Sequence, residues 1–139
     1  MKAKFTVLGE PQGKGRPRFV RKTGMTFTPD KTVSYENLIT TEYRRQVGTQ
    51  FPEGTLDMRI MAYFGIPKSA SKRKKQQMES GELRPAKKPD MDNIMKVVAD
   101  ALNAVAYRDD AQVVDCQLRK FYSNQPRIEV IIQSAQKGE

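Results

Sequence analysis

The sequence predicts a single α/β domain, of the α+β type, in which helices pack on one mixed β-sheet. Three observations point there. The chain has 139 residues, enough for one core and little more. Segments in which apolar and polar residues alternate, as half-buried strands do, recur at both ends and in the middle. Before the last of them, Ile94, Val97, Val98, Ala101, Leu102 and Val105 fall at offsets 0, 3, 4, 7, 8 and 11, the apolar stripe of a core-packed helix.

In chain order, Lys4 to Leu8 alternate, with Phe5 and Val7 on one face, and read as a strand. Gly9, Pro11, Gly13, Gly15 and Pro17 then forbid a regular element, so a loop is expected as far as Arg21-Lys22. Gly24 turns the chain into a short strand over Met25 to Thr28. Thr32 to Val47 lack Gly and Pro and space Val33, Leu38, Ile39, Tyr43 and Val47 as a helix with one buried face would. Thr55 to Phe64 alternate most clearly, with Leu56, Met58, Ile60, Ala62 and Phe64 opposite Asp57 and Arg59. Lys68 to Met78 form a polar helix capped near Ser69, followed by a loop from Gly81 to Pro89. That stretch has few apolar residues to bury and is expected to be the most mobile. The core helix spans Met91 to Val105. Strands over Ala111–Tyr122 and Arg127–Ile132, joined by Asn124-Gln125-Pro126, look like an antiparallel hairpin, and the tail after Ser134 should fray.

Composition narrows the chemistry. Lys and Arg number 25 against 16 Asp and Glu, a formal charge of +9, which favours a polyanionic partner through counterion release. Cys116 is the only cysteine and histidine is absent. An intramolecular disulfide, the usual His/Cys zinc sites and Ser-His-Asp or Cys-His catalysis are therefore excluded. Carboxylates, lysine and hard cations remain. No run approaches the ~18 apolar residues of a spanning helix, and Met1 to Phe5 lack a long apolar core, so a soluble cytoplasmic protein without a membrane partner is expected.

Asp90 and Asp92 stand at the start of the core helix, directly after Lys88-Pro89, where helix-end N–H groups stabilise negative charge. Helix caps alone would account for the pair. Lys96 and Asp100 follow Asp92 at four-residue steps, and a ladder of salt bridges would account for that stripe. Asp109-Asp110 is a second acidic pair, just before a strand. If that strand lay beside the loop entering the helix, three or four carboxylates would converge, and mutual repulsion would favour a bound cation. Mg²⁺ takes oxygen ligands and is commonly held by one or two carboxylates with substrate phosphate. An acidic cluster within a basic protein is the arrangement a metal-dependent nuclease needs.

The run Lys88-Pro89-Asp90-Met91-Asp92-Asn93-Ile94-Met95-Lys96, then Asp100-Ala101-Leu102-Asn103, then Asp109-Asp110-Ala111-Gln112-Val113, resembles the signature block of the RusA-like Holliday junction resolvases. Gly9-Glu10-Pro11 through Lys14-Gly15-Arg16-Pro17-Arg18 is similar to the opening segment of that family. The resemblance implies a RusA-like fold and a small homodimeric endonuclease, often prophage-encoded, that cuts four-way DNA junctions in recombination and repair. It implies Mg²⁺, with Mn²⁺ as a substitute. It also implies catalysis by Asp90, Asp92, Asp110 and Lys96. The three aspartates would be metal ligands, and Lys96 would neutralise the phosphate or orient water. Asp109 is left as an alternative to Asp110.

DNA contact is assigned to Lys72, Arg73, Lys74 and Lys75, to Lys14, Arg16 and Arg18, and to Lys87 and Lys88, although the first run could be only a solvated helix face and the second an ordinary turn. Tyr107, Phe121, Met91 and Met95 read as packing groups, and Cys116 as a buried apolar residue. Two other readings stand beside the resolvase: a nuclease of this fold that prefers flaps or forks, and a basic nucleic-acid-binding module without catalysis.

Overall fold

The structure is a computed structural model that describes residues 2–27, 29–51 and 53–138, apart from the side chains of Arg18 and Phe27. Thr28, the expected end of the second strand, and Pro52 lie outside the described residues, as does the side chain of Arg18. The elements are β1 (Lys2–Leu8), β2 (Arg18–Val20), β3 (Met25–Phe27), α1 (Asp30–Gln46), β4 (Leu56–Gly65), α2 (Lys72–Ser80), α3 (Met91–Leu102), a 3₁₀ turn (Asp110–Gln112), β5 (Val113–Ser123) and β6 (Arg127–Ser134). The expected α+β class, with a mixed sheet, is what the chain forms.

The main sheet has the order β1-β6-β4-β5, with β4 and β5 parallel and the other pairs antiparallel. The expected β5–β6 hairpin does not form. β4 lies between the two strands, and the Asn124–Pro126 turn crosses its end at Gly65. A Cβ on Gly65 would stand 3.2 Å from Pro126 Cγ and 2.3 Å from Glu10 Oε1, so the crossing depends on the missing side chain. Glu10 closes the same strand end, its carboxylate accepting the Gly65 N–H at 3.0 Å. Burial explains the order. β6 buries Ile128, Val130 and Ile132 and takes a central place, whereas Leu118 is the one buried residue of β5, which lies at the edge.

Helices α1 and α3 pack together, α1 against β1 and α3 against β5, over a core of Phe5, Val7, Met58, Ile60, Phe64, Val97, Val98 and Leu102, among others. α1 buries Thr32, Tyr35, Ile39 and Tyr43. Val33 and Leu38, expected on that face, are instead 42% and 40% exposed. α2 starts later than expected, with Ser71 rather than Ser69 as its cap, the hydroxyl accepting the Lys74 N–H at 3.2 Å. α3 stops at Leu102 rather than Val105, because Asn103 leaves helical geometry and Ala104 has φ 62°. β2, absent from the sequence reading, is too short for alternation to reveal it and pairs only with β3 through the Gly24 turn.

Among the packing groups, Tyr107 is buried and donates its hydroxyl to Ala99 O at 2.8 Å, and Phe121 stacks on Tyr63 at 5.8 Å. Met95 packs against the core, but Met91 is 47% exposed. Cys116 is exposed, not buried, because it falls on the open edge strand; partial burial first, then the charge of Asp57, pushes its thiol up to about 11. Residues 135–138 have no regular structure, although Ala135 N–H still reaches Thr55 O at 2.9 Å. No helix among the described residues is long and apolar enough to cross a membrane.

Candidate active site

The site is assembled at the N-terminal end of α3, where the Gly-Pro loop of residues 9–17 is pressed against it. Lys14 N–H donates to Asn93 O at 2.9 Å, and a Cβ on Gly13 would stand 2.9 Å from Asn93 Cβ and 3.0 Å from Pro89 Cβ. Only glycine permits that approach. The loop is also tied to α1, where Thr32 Oγ1 accepts the Gly15 N–H at 2.9 Å.

Asp90 is the N-cap residue of α3, yet its carboxylate makes no capping bond. Asp92 lies exposed in the first turn. Neither carboxylate has a hydrogen bond or a salt bridge among the described residues, so the capping explanation fails for both. The salt-bridge ladder fails as well. Lys96 is exposed and unpaired among the described residues, and Asp100 pairs instead with Lys14 at 3.2 Å.

That pairing redefines Lys14. Its ammonium also donates to Glu36 at 3.0 Å. Burial draws its pKa down, but the hydrogen bonds to Glu36 and Asp100, together with their charges, outweigh that and leave it raised. Lys14 joins the loop, α1 and α3, and its charge is matched within the chain.

Asp109 and Asp110 have different environments. Asp109 closes a capping box on the 3₁₀ turn, its Oδ1 accepting from Ala111 N–H at 3.0 Å while Gln112 Oε1 accepts from Asp109 N–H at 3.2 Å. Its pKa is lowered by the bond from Ala111 and then by one with Asp110. Asp110 is held by its main chain, with its N–H donating to Asn103 Oδ1 at 2.9 Å. Its carboxyl is raised by desolvation, then by the bond with Asp109 and the charges of Asp109 and Asp100.

The carboxylates do not converge within one chain. β5 runs antiparallel to α3, so the strand brings its far end, not Asp109-Asp110, to the loop entering the helix. Asp110 sits beside Asn103, at the opposite end of α3 from Asp90. The helix has 12 residues, about 18 Å at 1.5 Å per residue. Among the described residues no three acidic, His or Cys groups form a metal-holding set.

What β5 does bring to Asp90 is Lys120, a residue the sequence reading passed over. Its Nζ donates to Lys87 O at 2.5 Å and Pro89 O at 3.1 Å and lies 5.0 Å from the centre of the Phe64 ring. Burial lowers its pKa and Lys87 adds to that, while Asp90 opposes it. The alternation held a signal: Leu118, Lys120 and Tyr122 share the inward face of β5, where an ammonium is out of place.

Asp90 stands where two open grooves meet. One is lined by Gly13, Arg16, Lys31, Lys88 and Asn93. The other is lined by Lys87, Lys88, Met91 and Lys120. Lys72, Arg73 and Lys74 are exposed on α2 and Lys75 half-exposed; none of the four has a side-chain partner among the described residues.

A small basic α+β domain whose cation-lined grooves meet at one unclaimed carboxylate, with a second exposed in the same helical turn, has the equipment of a phosphodiesterase that acts on nucleic acid. The chain belongs to the endodeoxyribonuclease RusA family, whose model matches residues 9–133, nearly its whole length. It is also 43% identical over 136 residues to a Bacillus subtilis (strain 168) protein described as "Uncharacterized protein YqaN", with 93% of this chain and 94% of that one covered.

Proposed function

We propose that this protein is a Mg²⁺-dependent endonuclease that resolves four-way DNA junctions as a homodimer, with Asp90, Asp92, Asp110 and Lys96 as its catalytic residues. One observation carries the reading: Asp90 stands where two grooves lined by basic side chains meet, and among the described residues neither it nor Asp92 is claimed by a cap or an ion pair. Carboxylates free of direct partners are suited to a hard cation, which is commonly held by one or two carboxylates, waters and a substrate phosphate. Bound there, Mg²⁺ (or Mn²⁺ in its place) would polarise the scissile phosphate and acidify a water.

The chain's own residues do the rest. Arg16 and Lys88 on one side of Asp90, and Lys87 and Lys88 on the other, hold the phosphates that flank the cut, and α2 meets an arm of the junction. Lys96, one turn beyond Asp92 and unpaired among the described residues, neutralises charge on the scissile phosphate or orients the water. Resolution takes two symmetric nicks, and each chain supplies one Asp90–Asp92 pair, so two chains are required. The same pairing supplies what one chain lacks, because Asp110 of one copy can complete the Asp90 end of the other.

The direct test is nicking of a labelled four-way junction and of a matched duplex. The junction should be nicked in Mg²⁺ and spared in EDTA, with the duplex resistant throughout. An intact junction in both Mg²⁺ and Mn²⁺ would refute the reading, and faster cutting of flaps or forks would change the substrate.

Junction binding should weaken steeply with salt, and neutralising Lys72, Arg73, Lys74 and Lys75 together should flatten the log–log slope by roughly 1 for each phosphate the variant no longer holds. Lys14 is left out of that set because Glu36 and Asp100 already match its charge. A slope unchanged in titrations of the fourfold variant would make α2 a solvated face only.

A further inference from the structure

We propose that Lys120 is a positioning residue of the Asp90 site, holding the turn that presents this carboxylate at the start of α3; the inference rests on the reading of Asp90 as a site residue. The connection from α2 to α3 is irregular, and although Pro85 is buried and the Arg84 and Lys87 cations lie over aromatic rings, its hydrogen bonds are few. All three hydrogen bonds that residues 84–89 make among the described residues go to Lys120: Arg84 Nε donates to Lys120 O at 3.0 Å, and Lys120 Nζ donates to Lys87 O at 2.5 Å and Pro89 O at 3.1 Å.

The position of Lys120 is as particular as its contacts. It stands on the inward face of β5, opposite Ala62, with its ammonium 5.0 Å from the centre of the buried Phe64 ring. An ammonium in such surroundings is retained only where acceptors satisfy it. The two carbonyls that do so belong to the residues leading directly into Asp90. A lysine has three N–H donors, so one remains beyond these two. Lys120 lines the same groove as Lys87, Lys88 and Asp90. The side chain thus fixes the backbone on which Asp90 is mounted, and a shift of about 1 Å at a reacting group can lower a rate about a hundredfold.

The test compares wild type with Lys120→Met, which keeps the apolar stem over Phe64 and removes the donors, and with Lys120→Arg, which can still donate to two carbonyls. Hydrogen exchange across residues 84–94 should accelerate about tenfold or more in Lys120→Met, and cleavage at saturating junction should fall by a similar factor. Junction affinity should stay within about threefold, with an unchanged salt slope, and Lys120→Arg should recover part of both losses. Unchanged exchange and cleavage would overturn the proposal. So would unchanged exchange with a salt slope lowered by about 1, the mark of a plain phosphate contact. Should Lys120→Met fail to fold, Lys120→Leu, which likewise carries no donor, takes its place under the same criteria. A wild-type protein that cuts no branched DNA would refute the nuclease reading, while the exchange comparison still decides whether Lys120 holds the turn.

Discussion

Replacing Asp92 with asparagine should lower Mg²⁺-dependent junction cleavage by at least about two orders of magnitude, as when a group that stabilises a transition state is removed. The substitution keeps the side-chain volume and withdraws the negative charge a hard cation requires. Junction binding should survive or tighten, because one repulsive charge facing the phosphates is gone. Folding should be indifferent. Asp92 is exposed and makes no cap bond, so thermal unfolding should move by no more than about 0.5 kcal/mol, as at ordinary surface sites. The measurements are single-turnover cleavage, junction titration and a melting curve on the same preparation. Cleavage within about threefold of wild type, from a protein that binds and folds normally, would remove Asp92 from the site.

The sequence disclosed this end of the molecule well, because its determinants are local. The apolar stripe from Ile94 to Leu102 fixes which way α3 faces, and Pro89 marks where it starts, so Asp90 and Asp92 could be placed on its first turn without knowledge of the sheet. What stayed hidden depends on contacts between distant segments. β5 and β6 read as a hairpin because only Asn124–Pro126 separate them, and the crossing over β4 depends on Gly65, Pro126 and Glu10 meeting at one strand end. Once β4 lies between them, the position of β5 puts Lys120, not Asp110, beside Asp90. The matching of Lys14 by Glu36 and Asp100, residues 22 and 86 positions further along the chain, was invisible to local spacing for the same reason.

Asp110 and Asp109 should separate sharply when each is replaced. Asp109 is occupied with the 3₁₀ turn, so Asp109→Ala should lower the melting temperature slightly through loss of the capping box and leave most of the cleavage. Asp110 has no such duty for its carboxylate, and Asp110→Asn should lower cleavage about as far as Asp92→Asn does, with folding unchanged. The larger consequence concerns the dimer. If Asp110 of one chain completes the Asp90–Asp92 pair of the other, mixing Asp92→Asn chains with Asp110→Asn chains should restore nicking. In such a heterodimer one composite site carries both substitutions, and the other carries neither. Activity should return as single nicks, without the paired cuts of a resolved junction, after the two inactive proteins have exchanged subunits. If each site lay within a single chain, every site in the mixture would carry one substitution and no mixture could cut. Inactive mixtures of demonstrably exchanged chains would refute the shared site, whereas single-strand nicks from two dead proteins would place one site across two copies.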